Sequence, residues 1–551
     1  MRLIERRIGL LFAVFLLCFC IVLARAAWLQ GVQGSSFASQ ANLQQSETIE
    51  VPALRGALLD RRGRELAVSE DAVSIYATPY QVKDPGEAAS RLAPVLDVDE
   101  ADLLEALTVE SGFSYLARKV DLPTAARVER LEIAGIGELP DTLRTYPQGA
   151  LAGQVVGAVG TENEGLTGLE AGEESVLGGT DGERIVVKDA LGDPLRLETL
   201  SETSDGDDIQ LTLDAAIQDR TEDVLAEVGA TYQPQGATAI VMDPRDSRIL
   251  AMANWPPLDP SNLEEADEED FLNRATGFTY EPGSTYKALT VAAALQEDIV
   301  EPQSTFTLPP TIRVADRVIE ESHPRGTATL SVADILAQSS NVGAVTIGLE
   351  VGAERFSRWI ERFGFGAPTG VRFPGEEQGI VPALEEYSGS TMGNLPLGQG
   401  LSVTPMQMMA AYGAIANGGI LREPRLIERI AGEPVEEPEG RRVIGPEVAA
   451  QVRQMLEGVL APGGTASEVS VPGYTLAGKT GTAEVAENGG YSDTKFVASF
   501  IGFAPAMNPR LLVSVVVDQP QGGDYYGGSV AAPAFGDIAS FALPYLGVPP
   551  E

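Results

Sequence analysis

The sequence predicts an α+β protein whose main domain is an antiparallel sheet of about five strands with helices on both faces. Two β-like runs, at 238–243 and 248–253, flank an Asp-Pro-Arg-Asp-Ser turn, and such a pair is typical of a hairpin. Three later runs rich in Val, Phe and Ile, at 474–479, 496–503 and 511–517, supply the remaining strands. Helical stretches lie between the early pair and the late three. A single transmembrane helix and a separate mixed region precede this domain.

Length, charge and cysteine content narrow the class of protein. The 551 residues exceed the usual size of one domain, and a hydrophobic fraction of 44% is enough for sizeable cores. The 79 acidic and 39 basic residues give a net charge of −40, which argues against nucleic-acid binding. With two cysteines, one histidine and no H-E-x-x-H, neither a disulfide framework nor a zinc hydrolase is expected. We therefore expect no metal and no cofactor.

The N-terminus carries an apolar run at residues 8–24 that contains no charged side chain. Its length is close to the roughly 20 residues that span a bilayer. Arg2, Arg6 and Arg7 precede it, which places the N-terminal side in the cytoplasm. An Ala-Arg-Ala sequence at the end of the run leaves a cleaved signal peptide as the alternative. We predict an uncleaved single-pass anchor at residues 1–28, with the domains that follow it outside the cytoplasmic membrane.

A polar linker divides the remaining chain in two. Residues 29–205 are mixed in composition and contain no cluster of nucleophiles or metal ligands, so they read as a binding or support domain. The segment 204–208, Ser-Asp-Gly-Asp-Asp, is the linker. We predict a non-catalytic N-terminal domain at 29–205 and a catalytic domain at 206–551.

The most informative stretch is Gly283-Ser284-Thr285-Tyr286-Lys287, which follows a Pro-Gly break and opens an apolar run without Pro or Gly. This pattern predicts a helix buried on most sides. Positions i and i+3 share a helix face, so the Ser284 hydroxyl and the Lys287 amine can meet. A serine needs a base to become a nucleophile, and a lysine shielded from water can supply one. The alternative base, His323, lies in a polar loop, and nothing in the sequence brings it to Ser284.

Two later stretches complete a set. Ser339-Ser340-Asn341 follows one apolar run, and Lys479-Thr480-Gly481-Thr482 follows another. The motifs S-x-x-K, S-x-N and K-T-G occur in this order in penicillin-binding proteins and class A β-lactamases. The region resembles the transpeptidase domain of penicillin-binding proteins, with S-S-N in place of S-D-N.

The resemblance implies a role for each member of the first two motifs. Ser284 would be the nucleophile that forms an acyl-enzyme, and Lys287 its general base. Ser339 would relay a proton to the leaving amine. Asn341 would position the substrate amide and Lys287.

The third motif would bind and polarise the substrate. The resemblance implies that Lys479 supplies positive charge, which helps to keep Lys287 neutral, and binds the terminal carboxylate with Thr480 and Thr482. Gly481 belongs to the same substrate-binding segment. The backbone N–H groups of Ser284 and Thr482 would form the oxyanion hole.

The N-terminal region also carries recognisable pieces: an Arg-Gly at 55–56, an Asp-Arg-x-Gly at 60–63, an Arg-x-Tyr-Pro-x-Gly at 144–149 and a Gly-Leu-x-Gly-Leu-Glu at 165–170. Their order resembles the elongated pedestal, a dimerisation-type domain, of class B penicillin-binding proteins. The Tyr-Glu-Pro-Gly-Ser form at 280–284 favours the division type.

That resemblance implies a membrane-anchored peptidoglycan D,D-transpeptidase that cross-links stem peptides in septal wall synthesis and binds β-lactam antibiotics covalently. Implied partners are the membrane, a polytopic glycosyltransferase and other wall-synthesis proteins.

Three alternatives on the same fold stay open. A D,D-carboxypeptidase would pass the acyl group to water. A β-lactamase would do so rapidly; class A enzymes use a further Glu for that step, and we assign no residue of this sequence to that role. A non-catalytic scaffold would need none of the three motifs.

Overall fold

The computed structural model of the protein describes residues 2–33, 46–188, 194–487 and 490–551. The chain packs as two compact units, one built from 1–54, 70–143 and 179–206 and the other from 55–69, 144–178 and 207–551. Segments 55–69 and 144–178 of the predicted N-terminal domain thus lie in the second unit. The boundaries after residues 28 and 205 stay predictions.

The strands and helices are numbered here in chain order. The strands are β1 Ser46–Val51, β2 Leu58–Leu59, β3 Glu65–Ala77, β4 Ser114–Asp121, β5 Ile136–Thr145, β6 Gly182–Lys188, β7 Pro194–Ser201, β8 Ile209–Leu211, β9 Gly236–Asp243, β10 Arg248–Trp255, β11 Thr305–Leu308, β12 Thr311–Val314, β13 Arg317–Glu320, β14 Ala328–Ser331, β15 Ile420–Leu421, β16 Ile427–Ile430, β17 Glu433–Pro434, β18 Arg441–Arg442, β19 Ala477–Glu487, β20 Gly490–Ala504 and β21 Leu511–Asp518. The α-helices are α1 Arg2–Gly31, α2 Pro85–Leu96, α3 Glu100–Thr108, α4 Leu122–Glu129, α5 Gly153–Val156, α6 Gly168–Gly172, α7 Glu174–Leu177, α8 Ala215–Tyr232, α9 Arg274–Gly277, α10 Lys287–Gln296, α11 Val332–Ala337, α12 Asn341–Val351, α13 Ala353–Arg362, α14 Thr391–Asn394, α15 Pro405–Ala416, α16 Pro446–Glu457, α17 Gly527–Val530 and α18 Ala532–Tyr545. Short 3₁₀ turns occupy Pro79–Gln81, Leu263–Glu265, Glu268–Phe271, Gly283–Tyr286, Leu384–Glu386 and Leu395–Leu397.

The first unit begins with α1, a helix of 30 residues. Its segment Ile4–Gly31 is long and apolar enough to cross a membrane, and it contains the predicted span at 8–24. The large apolar side chains along it, such as Phe15, are exposed in the protein, as expected of a surface that meets lipid. This helix fits a single-pass anchor.

The rest of the first unit contains a small apolar core and a separate three-stranded sheet. β1, β6 and β7 form an antiparallel three-stranded sheet in the order β1-β6-β7. Helices α2 and α3 begin at Asp84 and Asp99, whose carboxylates accept hydrogen bonds from first-turn N–H groups. Their buried faces, including Leu92 and Leu103, pack in one apolar cluster with Ile75 of β3.

The second unit is built on a five-stranded sheet in the order β10-β9-β21-β20-β19, with every neighbouring pair antiparallel. The prediction of about five antiparallel strands is therefore confirmed. All eight residues of β21, the central strand, are buried, so helices cover both faces of the sheet. α8 and α18 pack together on it, and α15, α16 and α10 form a second group.

Two predicted helices shape the region around Ser284. α10 is buried from Lys287 to Leu295, as its nearly continuous apolar sequence predicts. Ser284 lies just before this helix, in the 3₁₀ turn Gly283–Tyr286. α15 begins after Thr404, which forms a capping box with Gln407, and its Tyr412 donates a 2.6 Å hydrogen bond to the Thr285 carbonyl. The turn that carries Ser284 is thus held by a second buried helix.

Candidate active site

The turn that carries Ser284 depends on two close backbone approaches. Gly283 has a φ of +53°, a conformation that glycine adopts without the cost a side chain would impose. A Cβ at Gly398 would lie 2.3 Å from the Gly283 carbonyl oxygen, so only a glycine fits there. Thr285 donates a 2.7 Å hydrogen bond to the Pro282 carbonyl and closes the turn. Among the residues that the structure describes, none is hydrogen-bonded to the Ser284 hydroxyl, which is therefore free to meet a substrate.

The edge strand β19 carries the third motif alongside this turn. A Cβ at Gly481 would lie 2.3 Å from the Ser499 Oγ and 3.1 Å from the Pro282 carbonyl oxygen. The strand can approach the turn that carries Ser284 this closely only because residue 481 has no side chain. Alternation along the strand then places Thr480 and Thr482 together on the open side.

Ser339 occupies the junction between α11 and α12 and has a left-handed φ of 59°, which is unusual for a serine. This geometry points both its carbonyl and its hydroxyl at Lys287. The Lys287 Nζ lies 2.7 Å from the Ser339 carbonyl, 3.2 Å from the Ser339 Oγ and 2.6 Å from the Asn341 Oδ1. No hydrogen bond joins Lys287 to Ser284 in the described residues.

The Ser339 hydroxyl also meets the second lysine. The Lys479 Nζ donates to the Ser339 Oγ at 2.9 Å and to the Thr480 carbonyl at 3.1 Å. Two buried amines therefore share one hydroxyl, a geometry that suits proton transfer between them.

Burial sets the protonation of both amines. Loss of water lowers the pKa of Lys287 to about 7, although the charge of Glu321 opposes this effect. Burial lowers the pKa of Lys479 well below its usual value, and the neighbouring Lys287 charge lowers it further. A charge on Lys287 thus disfavours a charge on Lys479, and the predicted effect of Lys479 on Lys287 stays a prediction.

A cleft of about 660 Å³ opens over this arrangement. Five of the predicted site residues line it: Ser284, Ser339, Asn341, Thr480 and Thr482. The other three predicted residues, Lys287, Lys479 and Gly481, are buried beneath its floor. All eight predicted residues thus come together, with hydroxyls and an amide facing the cleft and the amines behind them.

His323 lies on the wall of the same cleft, exposed, with its ring 6.0 Å from that of Tyr526. It makes no hydrogen bond to Ser284 in the described part of the chain, so it is not placed as the base of a triad. Nothing in the sequence predicts that His323 lies near the cleft, since its neighbours are typical only of a polar loop.

Sequence reasoning missed two groups of residues. Glu321 lies behind Asn341 and accepts a 2.7 Å hydrogen bond from its N–H. Phe496, Tyr525 and Tyr526 form a stacked aromatic wall, with ring centroids 4.0 Å apart for the first pair and 4.5 Å for the second. The tyrosines follow a Gly-Gly-Asp segment near the end of a predicted strand, a signal of a shaped loop. Nothing in the spacing marked Glu321.

A metal site is not formed by the described residues, since no three His, Cys, Asp or Glu side chains are grouped as such a site requires.

Comparison with known families matches both regions. The family model described as Penicillin binding protein transpeptidase domain matches residues 237–540. The one described as Penicillin-binding Protein dimerisation domain matches residues 50–211.

Known proteins resemble the chain over almost all its length. It is 35% identical to "Stage V sporulation protein D" of Bacillus subtilis, over 98% of this chain and 86% of the relative. It is 31% identical to "Peptidoglycan D,D-transpeptidase FtsI" of Escherichia coli, over 100% of this chain and 93% of the relative. The crystal structure of penicillin binding protein 3 from Mycobacterium tuberculosis, complexed with aztreonam, matches with a TM-score of 0.72 and 29% identity. That match covers 91% of this chain and 98% of the other.

Proposed function

The chain belongs to the class B penicillin-binding proteins, and from this membership we propose that it is a peptidoglycan D,D-transpeptidase of the division type. It cross-links stem peptides through a serine acyl-enzyme in septal wall synthesis, and it binds penicillin covalently at the same serine. The observation that carries the proposal is the Ser339 hydroxyl held between two buried amines, in a cleft that Ser284 also lines.

The first step is acylation. The Ser284 Oγ attacks the carbonyl carbon between the two terminal D-alanines, and its proton passes to Lys287. This role is supported by the pKa of Lys287, which at about 7 leaves a large neutral fraction near neutral pH. The oxyanion that develops is stabilised by the backbone N–H groups of Ser284 and Thr482, each donor being worth about 3 kcal/mol.

The second step expels the terminal D-alanine. The C–N bond breaks, and the leaving nitrogen takes a proton from the Ser339 hydroxyl. Ser339 recovers a proton from the amine pair, which is hydrogen-bonded to it from both sides. The Asn341 Oδ1 accepts a hydrogen bond from the Lys287 amine, and Asn341 also lines the cleft.

In the third step an acceptor amine attacks the acyl-enzyme carbonyl and gives up a proton to Lys287 through Ser339. The new amide bond forms, the ester bond to the Ser284 Oγ breaks, and Ser284 takes a proton from Lys287. A water molecule in place of the amine would give a D,D-carboxypeptidase by the same route.

The terminal carboxylate of the stem peptide that donates the acyl group binds along β19. Thr480 and Thr482 present hydroxyls to the cleft, and Lys479 lies directly behind them. Because Lys479 is fully buried, it acts on the carboxylate through its field and through Thr480.

The protein is anchored in the cytoplasmic membrane by α1, with its N-terminus inside and its catalytic domain outside. The three arginines before the apolar run support this orientation. Residues 1–28 form the tip and anchor, 29–205 the pedestal and 206–551 the transpeptidase domain, an arrangement supported by family matches at 50–211 and 237–540. Protection of the domain from added protease in intact cells, and its digestion once the outer layers are permeabilised, would check the orientation. A polytopic glycosyltransferase and other wall-synthesis proteins are the proposed partners.

The test is covalent labelling of the full-length chain in detergent with a fluorescent penicillin, followed by digestion and mass spectrometry. We expect label on Ser284 that persists, and none in a Ser284→Ala variant. Ser540→Ala removes an exposed hydroxyl on α18 and serves as the matched control, which should label normally.

The other outcomes discriminate among the alternatives. Label that disappears rapidly indicates a β-lactamase. Persistent label together with release of D-alanine but no cross-linked dimer indicates a carboxypeptidase. No label in a folded protein contradicts the proposal and favours a scaffold.

A further inference from the structure

A carboxylate lies behind the active-site turn and has no place in the acyl-transfer steps described above. Glu321 follows the last residue of β13, and its side chain is 5% exposed. A buried carboxylate is costly unless it is paired and hydrogen-bonded. Its partners therefore indicate what it is built to hold.

The carboxylate divides its two oxygens between the second motif and a cation. One oxygen accepts from the Asn341 backbone N–H at 2.7 Å. The other accepts from the Ser340 hydroxyl at 2.6 Å and forms an ion pair with Arg325. Glu321 thus grips the two residues that follow Ser339.

The neighbouring residue reinforces this grip. The Glu320 carbonyl accepts from the Asn341 Nδ2 at 2.8 Å, which turns the Asn341 Oδ1 toward the Lys287 amine. The end of β13 therefore fixes the Asn341 backbone and side chain together. A shift of this segment would move the acceptor that holds the base, and a displacement of about 1 Å in such a site can cost about a hundredfold in rate.

Electrostatics points the same way. The charged groups that face Lys287 are Lys479 from β19 and Glu321 from the end of β13, with Arg325 pairing Glu321 from the adjoining loop. Glu321 is the anion among them, and its charge raises the pKa of Lys287 against the effect of burial.

We propose that Glu321 is a positioning residue for acyl transfer, whose carboxylate holds the turn from Ser339 to Asn341 in place and acts on the Lys287 amine by its charge. The proposal rests on the proposed function, because Lys287 must be the base of acylation. It assigns Glu321 no contact with substrate. Its effect is transmitted through Asn341 and through the field at Lys287.

The experiment measures the second-order rate constant for acylation by a fluorescent penicillin, from about pH 5 to about pH 9, on the full-length chain in detergent. This rate constant reports the protonation of the free enzyme. For the wild type we expect a rise with pH whose midpoint is near 7. In Glu321→Gln the midpoint should fall by about 0.5 to 1 pH unit, since an anion that favoured the protonated amine is gone. The plateau should fall about tenfold or more, since the neutral amide holds the turn less well.

Two further variants are compared with Glu321→Gln. Asp316→Asn removes an equal charge from the exposed tip of the same β12–β13 hairpin, and it should change neither the midpoint nor the plateau. Arg325→Met removes the cation that pairs with Glu321, and it should raise the midpoint by about 0.5 pH unit. The two variants on either side of one ion pair are thus expected to shift the profile in opposite directions.

A lower plateau in Glu321→Gln with an unmoved or raised midpoint would show a merely structural role and overturn the proposal. If that variant does not fold, as judged by its thermal melt, Arg325→Met decides, and a midpoint that stays or falls is then the contrary result. Failure of the wild type to take label on Ser284 is a separate outcome, which rejects the proposed function itself.

Discussion

Two buried clusters of charge in the second unit differ in the partners of their cations. The lysine cluster contains Lys287 and Lys479 around the Ser339 hydroxyl, and the direct hydrogen-bond partners of both amines are neutral oxygens. The arginine cluster contains Arg55 and Arg144 around Glu170, all of them buried. There each carboxylate oxygen of Glu170 pairs with a different guanidinium.

The difference lies in how each cluster meets the cost of burying charge. Arginine keeps its charge in proteins, and the anion between the two guanidiniums offsets their loss of water. A lysine that lacks a directly bound anion can instead release its proton, which is why burial lowers the pKa of Lys287 to about 7. The paired cluster therefore joins segments 55–69 and 144–178 to each other, while the unpaired cluster has a neutral amine available near neutral pH. The arginine cluster offsets the cost of burying charge with an ion pair, whereas the lysine cluster avoids that cost by releasing a proton.

The strongest test of this contrast removes the base. Lys287→Met should reduce the acylation rate by about 10²- to 10⁴-fold, because general-base assistance is lost. Stability should stay the same or rise, because an apolar side chain of similar length replaces a buried amine without an ion pair. Acylation kinetics with a fluorescent penicillin and thermal unfolding of the full-length chain measure the two effects.

Lys495→Met provides the control, since Lys495 is half exposed and pairs with Glu487 on the surface. Both properties should be nearly unchanged there. If Lys287→Met is acylated at the wild-type rate, the lysine cluster has no chemical role. The proposed difference between the lysine and arginine clusters would then be wrong.

The arginine cluster should show the opposite behaviour. Glu170→Gln leaves two buried guanidiniums without their shared anion, so we expect a loss of about 3 to 5 kcal/mol in the free energy of unfolding. The fraction that stays folded should acylate at the wild-type rate. Chemical denaturation followed by tryptophan fluorescence, with labelling of the folded fraction, measures both.

Glu174→Gln is the matched variant, because Glu174 also pairs with Arg55, at 2.8 Å, but its side chain is 47% exposed. Its loss should be within about 1 kcal/mol. Equal losses in the two variants would mean that burial of the anion does not decide the outcome.

Much of this arrangement was predictable from the sequence. Periodicity and turn residues predicted the β9–β10 hairpin, the three late strands and the helix after Ser284, because in these segments local preference and burial agree. The eight predicted site residues converge because the three motifs lie at element boundaries: a 3₁₀ turn, a helix junction and an edge strand. Their chemical roles stay predictions.

Other features depend on contacts between residues far apart in sequence. The left-handed Ser339 and the grip of Glu321 on the S-S-N turn arise from packing of β13 against α12, which no local pattern records. His323 reaches the cleft wall for the same reason. The sequence likewise did not predict that the N-terminal region is divided between the two units, because segments 55–69 and 144–178 belong by packing to the second unit.

The pH dependence of stability sharpens the contrast further. The folded state lowers the pKa of Lys287 from 10.5 to about 7, so between these values the unfolded chain binds the additional proton. The free energy of unfolding should therefore rise with pH across this window, by on the order of 1 kcal/mol per pH unit. Lys287→Met lacks this contribution, so its stability advantage over the wild type should shrink from about pH 7 to about pH 9. Parallel stability curves for the two proteins would contradict the prediction, whereas Glu170→Gln should run parallel to the wild type.

The smallest effect belongs to a half-buried carboxylate for which the described residues supply no ion pair. Glu222 on α8 accepts hydrogen bonds from the Ala152 N–H at 2.8 Å and from the Gln218 side chain at 2.7 Å, and burial raises its pKa from 4.5 to about 7. The folded state thus retains a proton that the unfolded chain releases between these values, so the free energy of unfolding should fall as pH rises through the window. Because Glu222 is partly exposed, we expect Glu222→Gln to gain only about 1 kcal/mol relative to the wild type between about pH 5 and about pH 8. Glu227→Gln, at an exposed position on the same helix, should gain nothing in the same thermal melts. Opposite slopes for Glu222 and Lys287 would show that burial without an ion pair disfavours the charged form of both groups. Equal slopes in Glu222→Gln and the wild type would reject this.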